Sequence, residues 1–188
     1  MVDVKGFKLN KLKLNINIIT ARLIENRISA EDFSSRDYYS DGTLLGGIVG
    51  RRISIKLKDG TEIIPAYEAV DVRKKFRNSI EYYRSGRVRS LYLQDAVEVN
   101  TEIGRVKAEL ITFYENGLIK KIFPLYGQIS AYWSEEQESE EAPVAAVSFA
   151  GKNLNLKVES ITFFEDGNIR SIDFWRNTNS KRSNKDEH

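Results

Sequence analysis

The residues of this chain whose types and spacing can do chemistry are few, and the most regular of them are cations. Arg89, Lys120 and Arg170 each stand three positions after a glycine, at Gly86, Gly117 and Gly167. An aromatic pair precedes each of these glycines: Tyr82-Tyr83, Phe113-Tyr114 and Phe163-Phe164. If the three segments stack in register, the cations form a ladder for phosphate, sulfate or an acidic polymer. The second aromatics, Tyr83, Tyr114 and Phe164, then form a platform for bases or sugars. The same residues also have a plainer use. Lys and Arg commonly make the polar face of half-buried strands, and aromatics at equivalent positions pack between neighbouring hairpins.

Other chemistries are limited by inventory. The 188 residues include no Cys, and the one His is His188, the last position. Thiolate metal sites, disulfides, Cys nucleophiles, Ser-His-Asp triads and HExxH sites are therefore excluded, and no metal site or cofactor is expected. Carboxylates are plentiful, and a pair facing across a cleft at roughly 5–10 Å would make a glycosidase, but a linear sequence cannot display a facing pair. Glu135, Glu136, Glu138, Glu140 and Glu141 lie in one short run without the ordered Asp-x-Asp-x-Asp-Gly spacing of a calcium loop. They read as a solvated loop, Ser134 to Pro143. Gly46-Gly47-Ile48-Val49-Gly50 lacks both GxGxxG and the Lys-Ser/Thr of a phosphate loop, and reads as a strand with a bulge or bend. Tyr132-Trp133 and Phe174-Trp175 end two strands, where an exposed Trp would mark a carbohydrate or partner contact.

The elements that must position these groups are hairpins. Ile80–Leu91 (IEYYRSGRVRSL), Ile111–Ile122 (ITFYENGLIKKI) and Ile161–Ile172 (ITFFEDGNIRSI) share the pattern I-[ET]-[YF]-[YF]-x-x-G-x-[VI]-[RK]-[SK]-[LI]. Aromatic and β-branched residues favour an extended chain on both sides of the glycine. Ser85-Gly86, Asn116-Gly117 and Asp166-Gly167 supply the turns, and the spacing predicts type I′ turns with φ > 0 at both central positions. Weaker copies stand at Tyr38-Tyr39-Ser40-Asp41-Gly42 and Leu57-Lys58-Asp59-Gly60, and Gly104, Gly127 and Gly151 mark further turns. Adjacent aromatics must face opposite sides of a strand, so one of each pair belongs to the core. Helical signal is thin: Ala66 to Asn78 can be written as a helix or a strand, and Ser29 to Phe33 can cap a single turn.

At the repeated Y-[YF]-x-x-G-x-[IV]-[RK]-[SK] core the chain resembles the MORN-repeat proteins, and more closely the bacterial MORN-like repeat proteins of the YwqK type. The likeness covers about Arg36 to Trp175. It implies hairpins laid side by side in an elongated, curved sheet used for protein association or, in some relatives, membrane-lipid contact. Such arrays keep a near-constant period of roughly 20-odd residues, whereas the strong glycines here fall at 86, 117 and 167. The antitoxin label carried by some of these proteins rests on genome context, and no residue here carries it.

Charge is balanced overall, with 29 Lys and Arg against 27 Asp and Glu, too near neutral for a dedicated nucleic-acid protein. It is locally uneven, with eleven cations against five acids between Arg51 and Ser90. Met1 to Thr20 alternates lysines with apolar residues and lacks the apolar core of a signal peptide, so the cytoplasm is the default expectation. Asn177 to His188 reads as a polar tail. The sequence thus predicts an all-β domain over residues 1–176, built of tandem hairpins in an open or shallowly rolled antiparallel repeat sheet. The expected function is a non-catalytic binding or scaffold module. Its partner is expected to be a protein, with a polyanion or an anionic lipid surface as alternatives. A carboxylate-based polysaccharide hydrolase and a self-associating repeat whose open edges pair with other copies are the competing readings.

Overall fold

The computed structural model describes residues 28–57, 59–68, 77–101, 104–125, 144–149 and 152–175. Among the described residues, after one turn of 3-10 helix, Ala30–Asp32, every regular element is a strand. These are β1 (Phe33–Tyr38), β2 (Leu44–Val49), β3 (Ile55–Lys56), β4 (Glu62–Ile63), β5 (Ile80–Tyr82), β6 (Val88–Thr101), β7 (Gly104–Phe113), β8 (Ile119–Phe123), β9 (Val144–Phe149), β10 (Lys152–Phe163) and β11 (Ile169–Phe174). One antiparallel sheet runs β1-β2-β5-β6-β7-β8-β10-β11, with β9 paired to β10, and it does not close into a barrel. The small β3–β4 hairpin stands apart from it. The all-β, open-sheet expectation therefore holds, and the weak copy at Gly42 is a full member of the array.

Four hairpins, β1–β2, β5–β6, β7–β8 and β10–β11, repeat one design. Their turn glycines, Gly42, Gly86, Gly117 and Gly167, have φ of 82°, 80°, 85° and 85°, a region costly for any residue with a Cβ. The expected type I′ turn is not what forms. The Gly117 N–H donates to the Tyr114 carbonyl, while the Tyr114 N–H donates one residue further on, to the Leu118 carbonyl. This is a three-residue loop, a type I turn followed by a left-handed glycine. The Asx residue has a different task from the one its spacing suggested. Its side-chain oxygen accepts the N–H two residues on, from Asp41 to Thr43 (3.0 Å), Asn116 to Leu118 (3.0 Å) and Asp166 to Asn168 (2.9 Å). The same turn closes β3–β4, where Asp59 accepts the Thr61 N–H at 2.9 Å.

In the four hairpins of the main sheet a bulge follows the turn, whereas β3–β4 pairs without one. Phe113 lies opposite Ile119 and Thr112 opposite Lys121, so Lys120 is the extra residue. Tyr82–Val88 with Glu81–Ser90 isolates Arg89, and Phe163–Ile169 with Thr162–Ser171 isolates Arg170. The repeated cations are thus the bulged residues of three hairpins. The insertion breaks the two-residue alternation, and so allows apolar residues three apart, such as Ile119 and Ile122, to enter the same core.

That core lies on one face of the sheet. Ile80, Leu91, Ile111, Phe113, Ile122, Ile161 and Phe163 are buried in a single cluster with Ile55, Leu57 and Ile63 of the β3–β4 hairpin. Between Tyr92 and Val97, β6 leaves the register of β7. It hydrogen-bonds instead to the extended stretch after β4, with the Gln94 N–H on the Ile64 carbonyl and the Ala66 N–H on the Tyr92 carbonyl, both at 2.9 Å. Of that helix candidate, Ala66 to Glu68 and Arg77 to Asn78 form no helix, and 69–76 lie outside the described residues. Asn100 Nδ2 bonds Asp59 Oδ2 at 2.7 Å, tying the distal part of β6 to the β3–β4 turn. At the single turn it is Asp32 that caps, its Oδ2 accepting the Ser29 N–H at 2.9 Å in the returning half of a capping box. Gly46 and Gly47 sit where strands crowd: a Cβ there would come within 2.3 Å of the Ile80 carbonyl oxygen and 2.1 Å of that of Ser35.

Candidate functional site

The alternation of each aromatic pair places Phe113 and Phe163 in the core and Tyr82 partly buried against it. The second aromatics, Tyr39, Tyr83, Tyr114 and Phe164, take the opposite, outer side. Three of them perform the same act. The Tyr39 hydroxyl donates to the Tyr82 carbonyl at 2.8 Å, Tyr83 to the Phe113 carbonyl at 2.8 Å and Tyr114 to the Phe163 carbonyl at 2.7 Å. Each tyrosine thus clasps the next hairpin at the equivalent backbone atom. Phe164, in the last described hairpin, has no hydroxyl and, among the described residues, no following hairpin, and it is 48% exposed.

The turns are linked along the same margin. Arg84 pairs with Asp41 at 2.6 Å, Arg87 donates to the Glu115 carbonyl at 2.9 Å, and Asn116 Nδ2 donates to Glu165 at 2.8 Å.

The three candidate cations do not share one environment. Arg89 is engaged by Glu81 at 2.9 Å, and that carboxylate also accepts the Ser90 hydroxyl at 2.8 Å and faces Arg77 at 3.7 Å. Burial pushes the Glu81 carboxyl up, but Ser90 and Arg89 outweigh it and hold the group below its ordinary value. Lys120 lies over the Tyr114 ring at 5.5 Å and Arg170 over the Phe164 ring at 5.6 Å, distances at which a cation is attracted to the ring face. Among the described residues neither is paired with a carboxylate. Lys121, beside Lys120, is held by Asp173 at 3.0 Å, and Asp173 also accepts the Ser160 hydroxyl at 2.7 Å. Strands β6, β8 and β11 are two sheet positions apart, about 10 Å, so each cation rests on its own hairpin.

The chain matches no protein-family model, no curated protein and no solved structure.

Of the remaining candidates, Trp175 is partly buried, and Tyr132, Trp133 and the glutamates from Glu135 to Glu141 lie outside the described residues. Among the described residues no cluster of three metal-ligating side chains forms, and no helix is long and apolar enough to cross a membrane. The tyrosine clasp is the feature that sequence reasoning missed. Its signal was present, because the second aromatic carries a hydroxyl in every hairpin except the last.

Proposed function

We propose that this chain is a non-catalytic binding scaffold in the manner of MORN-like arrays, and that the outer face of its last two hairpins engages a protein partner. The observation that carries the reading is the row Tyr114, Lys120, Phe164 and Arg170, in which two cations without carboxylate partners among the described residues lie over two aromatic rings. Such a surface suits a partner that presents acidic and apolar side chains together. A polyanion is favoured less, because Arg89 and Lys121 on the same face are already neutralised by Glu81 and Asp173. The hydrolase reading is favoured least. Among the described residues every carboxylate with a displaced pKa is displaced downward, at Asp32, Asp41, Asp59, Glu81, Asp166 and Asp173. A glycosidase acid needs the opposite displacement.

The test compares wild type with Lys120→Glu and Arg170→Glu, each checked for unchanged melting. The expected result is a set of proteins retained by wild type and lost by both variants, with no retention on immobilised heparin or phosphatidylserine vesicles at physiological salt. Identical retention by the variants, or binding of wild type to heparin or vesicles alone, overturns the reading.

A further inference from the structure

Among the described residues only two large apolar side chains are prominently exposed, Tyr38 at 54% and Phe164 at 48%. They lie at opposite ends of the sheet, in the first and last hairpins. Phe164 is the outer aromatic that in every earlier hairpin reaches the next one. Tyr38 is equivalent to Tyr82, Phe113 and Phe163, whose carbonyls receive that reach. The two ends are therefore the two halves of one more joint of the kind formed three times inside the chain.

We propose that the β11 edge of one copy docks on the β1 edge of a second copy, continuing the array head to tail. The internal joints dictate the register. Gly46–Glu81, Ser90–Thr112 and Lys121–Thr162 are successive equivalents, and so are Gly47–Ile80, Leu91–Ile111 and Ile122–Ile161. The next members of these series place Ser171 opposite Asp37 and Ile172 opposite Arg36 of the second copy. Arg170 then lies one position from Asp37, with opposite charge. At the turn margin, Asp41–Arg84 and Asn116–Glu165 join one turn to the next, and the corresponding pair is Asp166 with the Ser40 hydroxyl. Two departures make this joint weaker than the internal ones: Phe164 donates no hydrogen bond, and Arg36 occupies the position of Ile80, Ile111 and Ile161. Association is consequently reversible and concentration-dependent. Because a head-to-tail contact does not close on itself, it yields a range of lengths. The joint draws Phe164 and Arg170 toward the second copy and leaves Lys120 over the Tyr114 ring on the outer face.

Sedimentation velocity of the purified full chain over a wide concentration range tests this without any partner, so its outcome is separate from that of the outer-face reading. Wild type is expected to grow with concentration. Phe164→Tyr, which supplies the missing hydroxyl, is expected to associate roughly fivefold more tightly, although it is the less apolar residue and nonspecific stickiness would fall. Phe164→Glu and Tyr38→Glu are each expected to stay monomeric alone and to form a dimer that grows no further when mixed, because each retains one intact end. A wild type that stays monomeric throughout, a Phe164→Tyr variant no tighter than wild type, or a Tyr38→Glu variant that dimerises by itself overturns the proposal.

Discussion

At the scale of single residues, one phenolic oxygen distinguishes an internal hairpin from a terminal one. Tyr83 and Tyr114 each span a joint through a hydroxyl on a backbone carbonyl, a bond with a net worth of about 1 kcal/mol. Tyr83→Phe and Tyr114→Phe are expected to lower stability by about that amount each in urea titration, whereas Phe164→Tyr leaves the dilute monomer unchanged. Titration also acts at this scale. The Thr43 N–H holds the Asp41 carboxyl below its ordinary value, and the hydrogen bonds to Asn168 do the same for Asp166. At Asp59 burial pushes upward, but the Thr61 N–H and Asn100 prevail. A lowered folded-state pKa contributes stability that is present above the unfolded value and lost as pH falls through the folded one. Stability should therefore decline below about pH 4, and less steeply in Asp166→Asn, which copies the uncharged Asn116. Tyr82 works in the other direction: burial, with Asp32 nearby, pushes its hydroxyl up to about 12. Its contribution is full below the unfolded value near 10 and is lost as pH rises towards 12. Tyr82→Phe is expected to flatten that alkaline limb in denaturation curves. The facing of each aromatic pair was legible from alternation alone. The division of labour between Tyr and Phe was not, because it depends on whether another hairpin follows.

At the scale of the element, turn and bulge act together. The glycine takes the left-handed position and the next strand begins with one extra residue, so each hairpin bends at the same place. Gly117→Ala is expected to cost about 1–2 kcal/mol through its φ of 85°. Gly46→Ala and Gly47→Ala are expected to cost about 1–3 kcal/mol or more, because their Cβ atoms meet backbone oxygens rather than movable side chains. Equilibrium unfolding of the three variants checks the order. The hairpins were readable from Asn-Gly and Asp-Gly flanked by β-formers. The bulge had also left a trace, in apolar residues three apart (Ile119 and Ile122, Ile169 and Ile172) where strict alternation demands two. What local pattern cannot carry is the choice of neighbour. Asp59-Gly60 makes the same turn as Asp41-Gly42, yet β3–β4 packs against the core face, because the stretch from Ile64 to Ala66 bonds to the part of β6 that β7 leaves free.

At the scale of the whole molecule, one apolar cluster extends from Phe33 in the first hairpin to Phe163 in the last. Ile111, fully buried at its middle, touches both halves of the array. Ile111→Ala is expected to cost about 2–5 kcal/mol and to lower a single melting transition in calorimetry. If the hairpins instead unfolded separately, two transitions would appear. The irregular spacing of the turn glycines is accounted for by insertions of two kinds: the β3–β4 hairpin lies between the first and second units, and β9 with the front half of β10 lies between the third and fourth.

The order of the strands in the main path is also the order of the chain, and each tyrosine reaches forward, toward residues that come later. On a ribosome the N-terminal hairpin emerges first, and every hairpin after it meets a finished edge to build upon. Until the next one arrives, the waiting hydroxyl bonds only to water. The clasp therefore runs with the chain, each hairpin being secured by the one before it, so that an array cut short between hairpins would present an unfilled tyrosine where the four-hairpin array presents Phe164.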